Sequence, residues 1–106
     1  MKKKEAQVIS DEVVELLRKD KEAKGISNYQ ISQLTGLGEG TLSLIDRLKS
    51  QPSFHVLVMM ATATGADLPG IIEKVLEKHP STPLPPSKRK LKAKLNEEKH
   101  AIIGDK

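Results

Sequence analysis

The sequence predicts an all-α protein: a compact domain of five short helices, followed by a proline-rich linker and a basic tail. Aromatic residues make up 2% and apolar residues 37% of the 106 residues, a composition that suits short packed helices better than a β-sandwich. Apolar residues recur at helical spacing, and no run alternates as an exposed strand would. Glycines and capping residues separate the apolar segments. The chain is short enough for one core only.

The first two helices are predicted from their end signals. The first is expected to begin at the cap Ser10-Asp11-Glu12 and to end before Gly25. The second is expected to follow Ser27, because Ser27 and Gln30 form the S-x-x-Q pattern of a capping box. It should end at Gly36, since glycine enters the left-handed conformation at low cost.

A third helix is predicted from about Glu39 to Leu48, with Leu48 on its inward side. Only Gly36-Leu37-Gly38 separates it from the second helix, so the two must cross at a steep angle, as in a helix-turn-helix. The small core expected inside this unit consists of Ile31, Leu34, Leu37, Leu42 and Ile45.

The fourth and fifth helices complete the predicted domain. The fourth is expected to follow the N-cap Ser53, with Phe54 packed in the core. Asp67 is expected to cap the fifth helix, which has more apolar residues than one side of a small core needs. Ile72 and Leu76 are therefore expected at its edge, where they form a dimer interface or, alternatively, lie buried beneath the first helix.

The charge is unevenly distributed along the chain. Residues 87–106 carry 7 − 3 = +4, whereas residues 5–86 carry 8 − 11 = −3. The domain is therefore mildly acidic, and the overall charge of +4 does not identify a face that meets a polyanion.

The prolines mark the predicted division of the chain. Residues 80–87 are read as an extended linker between the domain, 5–79, and the tail, 88–106. The tail is expected to be disordered or helical. As a basic arm it would follow DNA phosphates through Lys88, Arg89 and Lys90.

Several classes of function are excluded or disfavoured. The chain contains no cysteine, which removes disulfides, thiolate metal sites and cysteine nucleophiles. The three histidines show no spacing typical of a metal site or a catalytic base, so we expect no enzyme, no metal and no cofactor. The longest apolar run, residues 56–61, is far below the roughly 20 residues of a membrane helix. No signal peptide follows Met1-Lys2-Lys3-Lys4, and we expect a cytoplasmic protein without a membrane partner.

Residues 25–37 and 41–45 resemble the helix-turn-helix of the Cro/C1-type (XRE-like) family of phage repressors and related bacterial regulators. The resemblance continues through 49–53 and 57–65 and spans roughly residues 10–78. It implies a lambda-repressor-like DNA-binding domain in a repressor that regulates transcription. Such domains usually bind operator DNA as homodimers and place the third helix in the major groove.

The resemblance points to two groups of DNA-binding residues. The outward positions of the third helix are the candidates for base readout: Glu39, Gly40, Thr41, Ser43 and Leu44. Phosphate contacts are expected at the amino end of the second helix and beyond the third: Asn28, Tyr29, Gln30, Arg47 and Lys49.

Gly38-Glu39-Gly40 departs from the family pattern, which often has amides or basic residues at these positions. Either glycine permits close approach of the backbone to DNA, or the segment belongs to a protein-interaction module that has lost DNA recognition. We favour the first. Another alternative is an antitoxin that autoregulates its operon and whose tail covers a toxin partner.

Overall fold

The computed structural model describes residues 1–86 and contains no strand among them. The helices are α1 (Lys3–Ala23), α2 (Asn28–Thr35), α3 (Glu39–Asp46), α4 (Phe54–Thr64) and α5 (Leu68–Lys78). The prediction of an all-α domain with five helices is confirmed. Residues 80–86 form no helix or strand. The predicted tail, with Lys88, Arg89 and Lys90, lies outside the described residues. None of the helices in residues 1–86 combines the length and apolar composition needed to cross a membrane.

Helix α1 packs against two groups of buried apolar side chains. Val13 belongs to a cluster with residues of α4 and α5, including Ala61 and Val75. The next residue, Val14, belongs to a second cluster with residues of α2, α3 and α4. Successive residues of a helix point about 100° apart, so α1 contributes to both halves of the core. Together with α4, which provides Ala61 to the first cluster and Met60 to the second, it joins α5 to the α2–α3 region.

The end of α5 is attached to α1 by a polar contact. His79 Nε2 lies 2.8 Å from Glu12 Oε1, and both side chains are about one-third exposed. His79 is also the last residue before the proline-containing segment that begins at Pro80. The point at which the chain leaves the domain is thus held against α1.

The predicted start of α1 at Ser10 is wrong, because the helix begins at Lys3. Ser10 lies within the helix and is half-buried. Ile9 packs into the cluster with α5, and Gln7 donates a hydrogen bond to Asp11 at 3.0 Å. The extra turns are stabilised by these contacts, which outweigh the local capping signal.

The predicted end of α3 at Leu48 is also wrong: the helix ends at Asp46. Leu48 has φ +59°, the one positive φ among the described non-glycine residues. The N–H of Lys49 donates to the carbonyl of Leu44 at 2.8 Å, which is the closing bond of a Schellman-type turn. Leu48 occupies the left-handed position of that turn and is exposed instead of facing the core.

Two other residues expected in the core are exposed. Leu34 is 73% exposed, because Ile31 takes the inward position of α2 and Thr35 follows it on the same side, donating to the Ile31 carbonyl at 2.7 Å. Phe54 is 68% exposed, since it lies in the first turn of α4, two turns before Ala61 on the same face, and the buried residues of that helix lie only in its second half.

The predicted helix ends agree better with the structure. Ser27 and Gln30 form the capping box, Gly36 has φ 81°, and Asp67 accepts from the N–H of Gly70 at 3.2 Å. Ser53 is the N-cap residue of α4, but its side chain does not cap the helix. Its Oγ lies 3.1 Å from His55 Nδ1 instead.

The contrast between Leu42 and Leu34 predicts their contributions to stability. Leu42 is fully buried, so Leu42→Ala should lower the free energy of unfolding by about 2–5 kcal/mol through lost burial and a residual cavity. Leu34→Ala, the same change at an exposed position, should alter it by less than about 0.5 kcal/mol. Urea unfolding followed by circular dichroism measures both. Equal losses in the two variants would contradict this assignment of the core.

Candidate nucleic-acid interface

Helices α2 and α3 form a compact unit around the turn 36–38, here called the α2–α3 unit. Ile31, Leu42 and Ile45 lie buried in the cluster shared with α1 and α4, and Leu37 from the turn packs against it. The hydroxyl of Thr35 accepts from the N–H of Leu37 at 3.2 Å. The turn is therefore fixed by both its own hydrogen bonds and the core, and it sets the position of α3 relative to α2.

The outward side of α3 contains the predicted base-reading residues. Glu39, Gly40, Thr41 and Leu44 are exposed, whereas Ser43 is half-buried. Leu44 lies four residues after Gly40 and three after Thr41, so these positions share one helix face. The structure thus brings Gly40, Thr41 and Leu44 together on an accessible surface and places Ser43 at its border.

A buried ion pair joins α1 to α3. Lys21 is only 5% exposed, and its Nζ contacts Oδ2 of Asp46, the last residue of α3. Asn28 at the start of α2 completes the group: its Nδ2 donates to Asp46 Oδ2 at 3.0 Å, and its Oδ1 accepts from Lys21 Nζ. One polar cluster therefore holds the ends of three helices.

This cluster changes the interpretation of the amino end of α2. Asn28, a predicted phosphate ligand, is committed through its side chain to Lys21 and Asp46. Gln30, another predicted phosphate ligand, accepts the N–H of Ser27 at 2.9 Å through Oε1. Tyr29 is 57% exposed, so its side chain is accessible to a partner.

Three cations of α1, Arg18, Lys21 and Lys24, are paired with acids. Arg18 donates to Glu15 and Glu22, each at 3.1 Å, and these hydrogen bonds raise the pKa of its guanidinium above the usual value. Lys24 pairs with Asp20 at 2.8 Å. Arg47 and Lys49, beyond the end of α3, form no ion pair with any other residue of 1–86, and both are exposed. Arg47 contacts the Ser43 carbonyl through Nε at 3.4 Å.

The amino end of α1 lies beside the loop that follows α3. Gln51 donates to Gln7 at 2.9 Å across 44 positions of sequence. Lys3 and Lys4 are exposed and lie about one helical turn before Gln7. These lysines therefore add positive charge near the loop that contains Lys49. Sequence reasoning missed this proximity, and its only local signal is the run of helix-forming residues before Ser10.

A second surface lies between α4 and α5. The α4–α5 groove is an open cleft of about 990 Å³ lined by Phe54, Val58, Thr62, Leu68, Ile72 and Leu76 among others. Leu68 is buried, Ile72 is half-buried and Leu76 is 45% exposed. Of the two predicted dimer-interface residues, Leu76 is therefore exposed on α5, whereas Ile72 packs partly against the core cluster that includes residues of α1.

No family model matches the chain, and neither the curated proteins nor the solved structures searched include a similar protein. Within residues 1–86, no group of three or more histidine and acidic side chains has an arrangement that would hold a metal ion. The functional assignment therefore depends on the geometry of the α2–α3 unit and the surfaces around it.

The Lys21 cluster predicts an unequal effect of two acid substitutions. Asp46→Ala leaves a buried ammonium without its carboxylate and should reduce the free energy of unfolding by about 3 kcal/mol. Glu22→Ala removes an exposed partner of Arg18 and should leave the stability nearly unchanged. Chemical denaturation of both variants provides the comparison. A loss in Asp46→Ala no larger than in Glu22→Ala would show that the buried pair does not stabilise the fold.

Proposed function

We propose that this chain is a sequence-specific DNA-binding regulator of transcription, of the type found in phage and prophage repressors. In this proposal the α2–α3 unit is a helix-turn-helix, and α3 enters the major groove of operator DNA. The observation that carries it is the division of α3 into two faces. Leu42 and Ile45 are buried, while Thr41 and Leu44 are exposed together beside the short turn that follows α2.

The side chains on this face have chemistry that can distinguish base pairs. The Thr41 hydroxyl donates or accepts a hydrogen bond, and Leu44 offers an apolar contact to a thymine methyl. Glu39 can accept from a cytosine amino group. Gly40 has open space where its Cβ would lie, so the backbone there can approach the DNA closely.

Phosphate contacts are assigned to the groups that remain free around α3. Arg47 and Lys49 are exposed and form no ion pair within the described residues. Tyr29 is exposed at the amino end of α2, where unpaired backbone N–H groups also favour an anion. Lys3 and Lys4 extend this set on the side of the α3–α4 loop. The contribution of Lys88, Arg89 and Lys90 as a basic arm is part of the same proposal and lies outside the described residues.

The proposal includes binding as a homodimer. Ile72 and Leu76 provide apolar surface at the edge of α5, and paired domains would read two half-sites of an operator. A domain this small rarely reaches operator-grade specificity as a single copy.

A protein-interaction role is the second candidate, and one observation favours it. Leu34 is 73% exposed and Leu44 is 42% exposed, so the α2–α3 unit presents two apolar side chains and the acid Glu39. Such a surface suits an apolar protein partner, of which a toxin would be one example. Lack of any preferred sequence at low salt would support this role over the first.

Replacing the exposed α3 residues tests the main proposal. Thr41→Ala combined with Leu44→Ala should abolish preference for a site selected from random double-stranded DNA, since a good base contact provides about 1–3 kcal/mol of discrimination. Non-specific binding should survive, because phosphate contacts dominate it. Footprinting and a titration with unrelated DNA measure the two properties.

The matched control is Thr82→Ala combined with Leu84→Ala, which makes the same changes in the exposed segment after α5. It should protect the selected site as the unmodified chain does. Normal protection by the Thr41/Leu44 variant would mean that α3 does not read the bases.

Gly40→Ala tests whether α3 approaches DNA closely at Gly40 or belongs to a module that has lost DNA recognition. Alanine is favoured over glycine inside a helix, and the added methyl has open space in the free protein, so the free energy of unfolding should rise by about 0.5–1 kcal/mol. Affinity for the selected site should nevertheless fall, because the methyl would meet the DNA. Thermal unfolding and a binding titration give the two numbers. Unchanged or increased affinity would show that α3 does not approach DNA at Gly40.

A further inference from the structure

The α4–α5 groove is an apolar surface that the described residues leave uncovered. Phe54 is 68% exposed, Val58 41% and Leu76 45%, and all three line the groove. Ala61 and Leu68, also among the lining residues, are buried. An aromatic ring and two aliphatic side chains are thus exposed together along one groove, an arrangement that suits a binding partner.

The charge at the groove has one sign. Among residues 1–86, Glu73 and Glu77 are the charged residues that line it, and both are exposed. An occupant with apolar side chains on one side and cations beside them would satisfy both the apolar floor and the acidic edge. A symmetric contact with a second copy would instead bring two more of the same carboxylates to the interface and no cation from the groove lining.

The chain itself contains a segment with the required chemistry. Residues 88–95 include five cations and no acid, with Leu91 and Leu95 as the apolar residues. The core of residues 1–86 does not require this segment, because its buried positions are filled by the domain's own side chains. Its charge is opposite to that of Glu73 and Glu77.

The connection is long enough for this segment to reach the groove. Helix α5 ends at Lys78, close in sequence to Leu76 and Glu77 at one end of the groove. Residues 79–86 span up to about 26 Å when extended, whereas the 11 residues of α5 extend only about 16 Å. A segment tethered so closely has an effective concentration on the order of millimolar, which favours binding within the same chain.

We propose that residues 88–95 bind in the α4–α5 groove of their own domain. Leu91 and Leu95 contact the apolar surface around Phe54 and Leu76, and the flanking cations pair with Glu73 and Glu77. This binding does not depend on DNA. It covers the face assigned above to homodimer contact, so at each groove a second copy must displace the tail before two domains pair.

The absence of cysteine allows a direct test in the full chain. A nitroxide attached to Ala93→Cys should weaken the amide NMR signals of groove residues such as Val58, Thr62 and Ile72. The signals of Tyr29 and Thr41, on the α2–α3 unit, should keep their intensity. The reduced, diamagnetic label provides the reference intensities.

Four further samples identify the occupant. Leu91→Asp with Leu95→Asp should restore the groove signals, and Glu77→Lys should restore them in part. Glu5→Lys, the same charge change at an exposed residue of α1, should leave the weakening unchanged. An isotope-labelled chain without nitroxide, mixed with an unlabelled spin-labelled chain, should show no weakening at low concentration.

Two results would overturn the proposal. Groove signals of full intensity in the spin-labelled chain would show that the segment does not bind there. Weakening of equal size in the mixed sample would show that the groove is occupied by another copy's tail and not by the chain's own.

Discussion

Lys21 places a positive charge where three helices meet, and the orientation of α3 depends on how that charge is neutralised. A buried ammonium is tolerated only with a carboxylate and further hydrogen bonds around it. Asp46 supplies the carboxylate from the end of α3, and Asn28 supplies an amide from the start of α2. The α2–α3 unit therefore cannot rotate against α1 without exposing or isolating the ammonium. Packing of Ile31 and Leu42 buries apolar surface, whereas the polar cluster fixes the orientation of the α2–α3 unit relative to α1.

The exposed side of α3 and the α4–α5 groove differ in chemistry because the core buries different residues of the helices that form them. On one side, Leu42 and Ile45 are buried beneath α3, and its exposed side combines Glu39, Gly40 and Thr41 with the apolar Leu44. On the other, α4 and α5 are buried through Met60, Ala61 and Val75, and no helix of the described residues covers their exposed apolar side chains. The first surface is therefore mixed in character, and the second is mainly apolar with an acidic edge.

Prediction from sequence succeeded for features that depend on contacts between residues only a few positions apart. The Ser27 capping box, the left-handed Gly36 and the Asp67 cap are all interactions over at most four positions, and the order of five helices follows from such signals. It failed at Leu34, Leu48 and Phe54, whose exposure depends on which side of a helix meets distant parts of the chain. The role of Asn28 was missed for the same reason, since its partner Asp46 is 18 positions away. At α3, periodicity separated the buried Leu42 and Ile45 from the outward residues, but it gave no indication of the half-buried Ser43.

The contact between His79 and Glu12 fixes the point at which the chain leaves the helical domain. Because this pair holds the end of α5 against α1, the segment beyond it starts from one point on the domain surface whatever its own conformation. The prolines after that point restrict the first few peptide units to extended shapes. Residues 80–86 consequently leave the domain from one corner of the molecule, and Glu12, 67 positions before His79, determines where that corner lies.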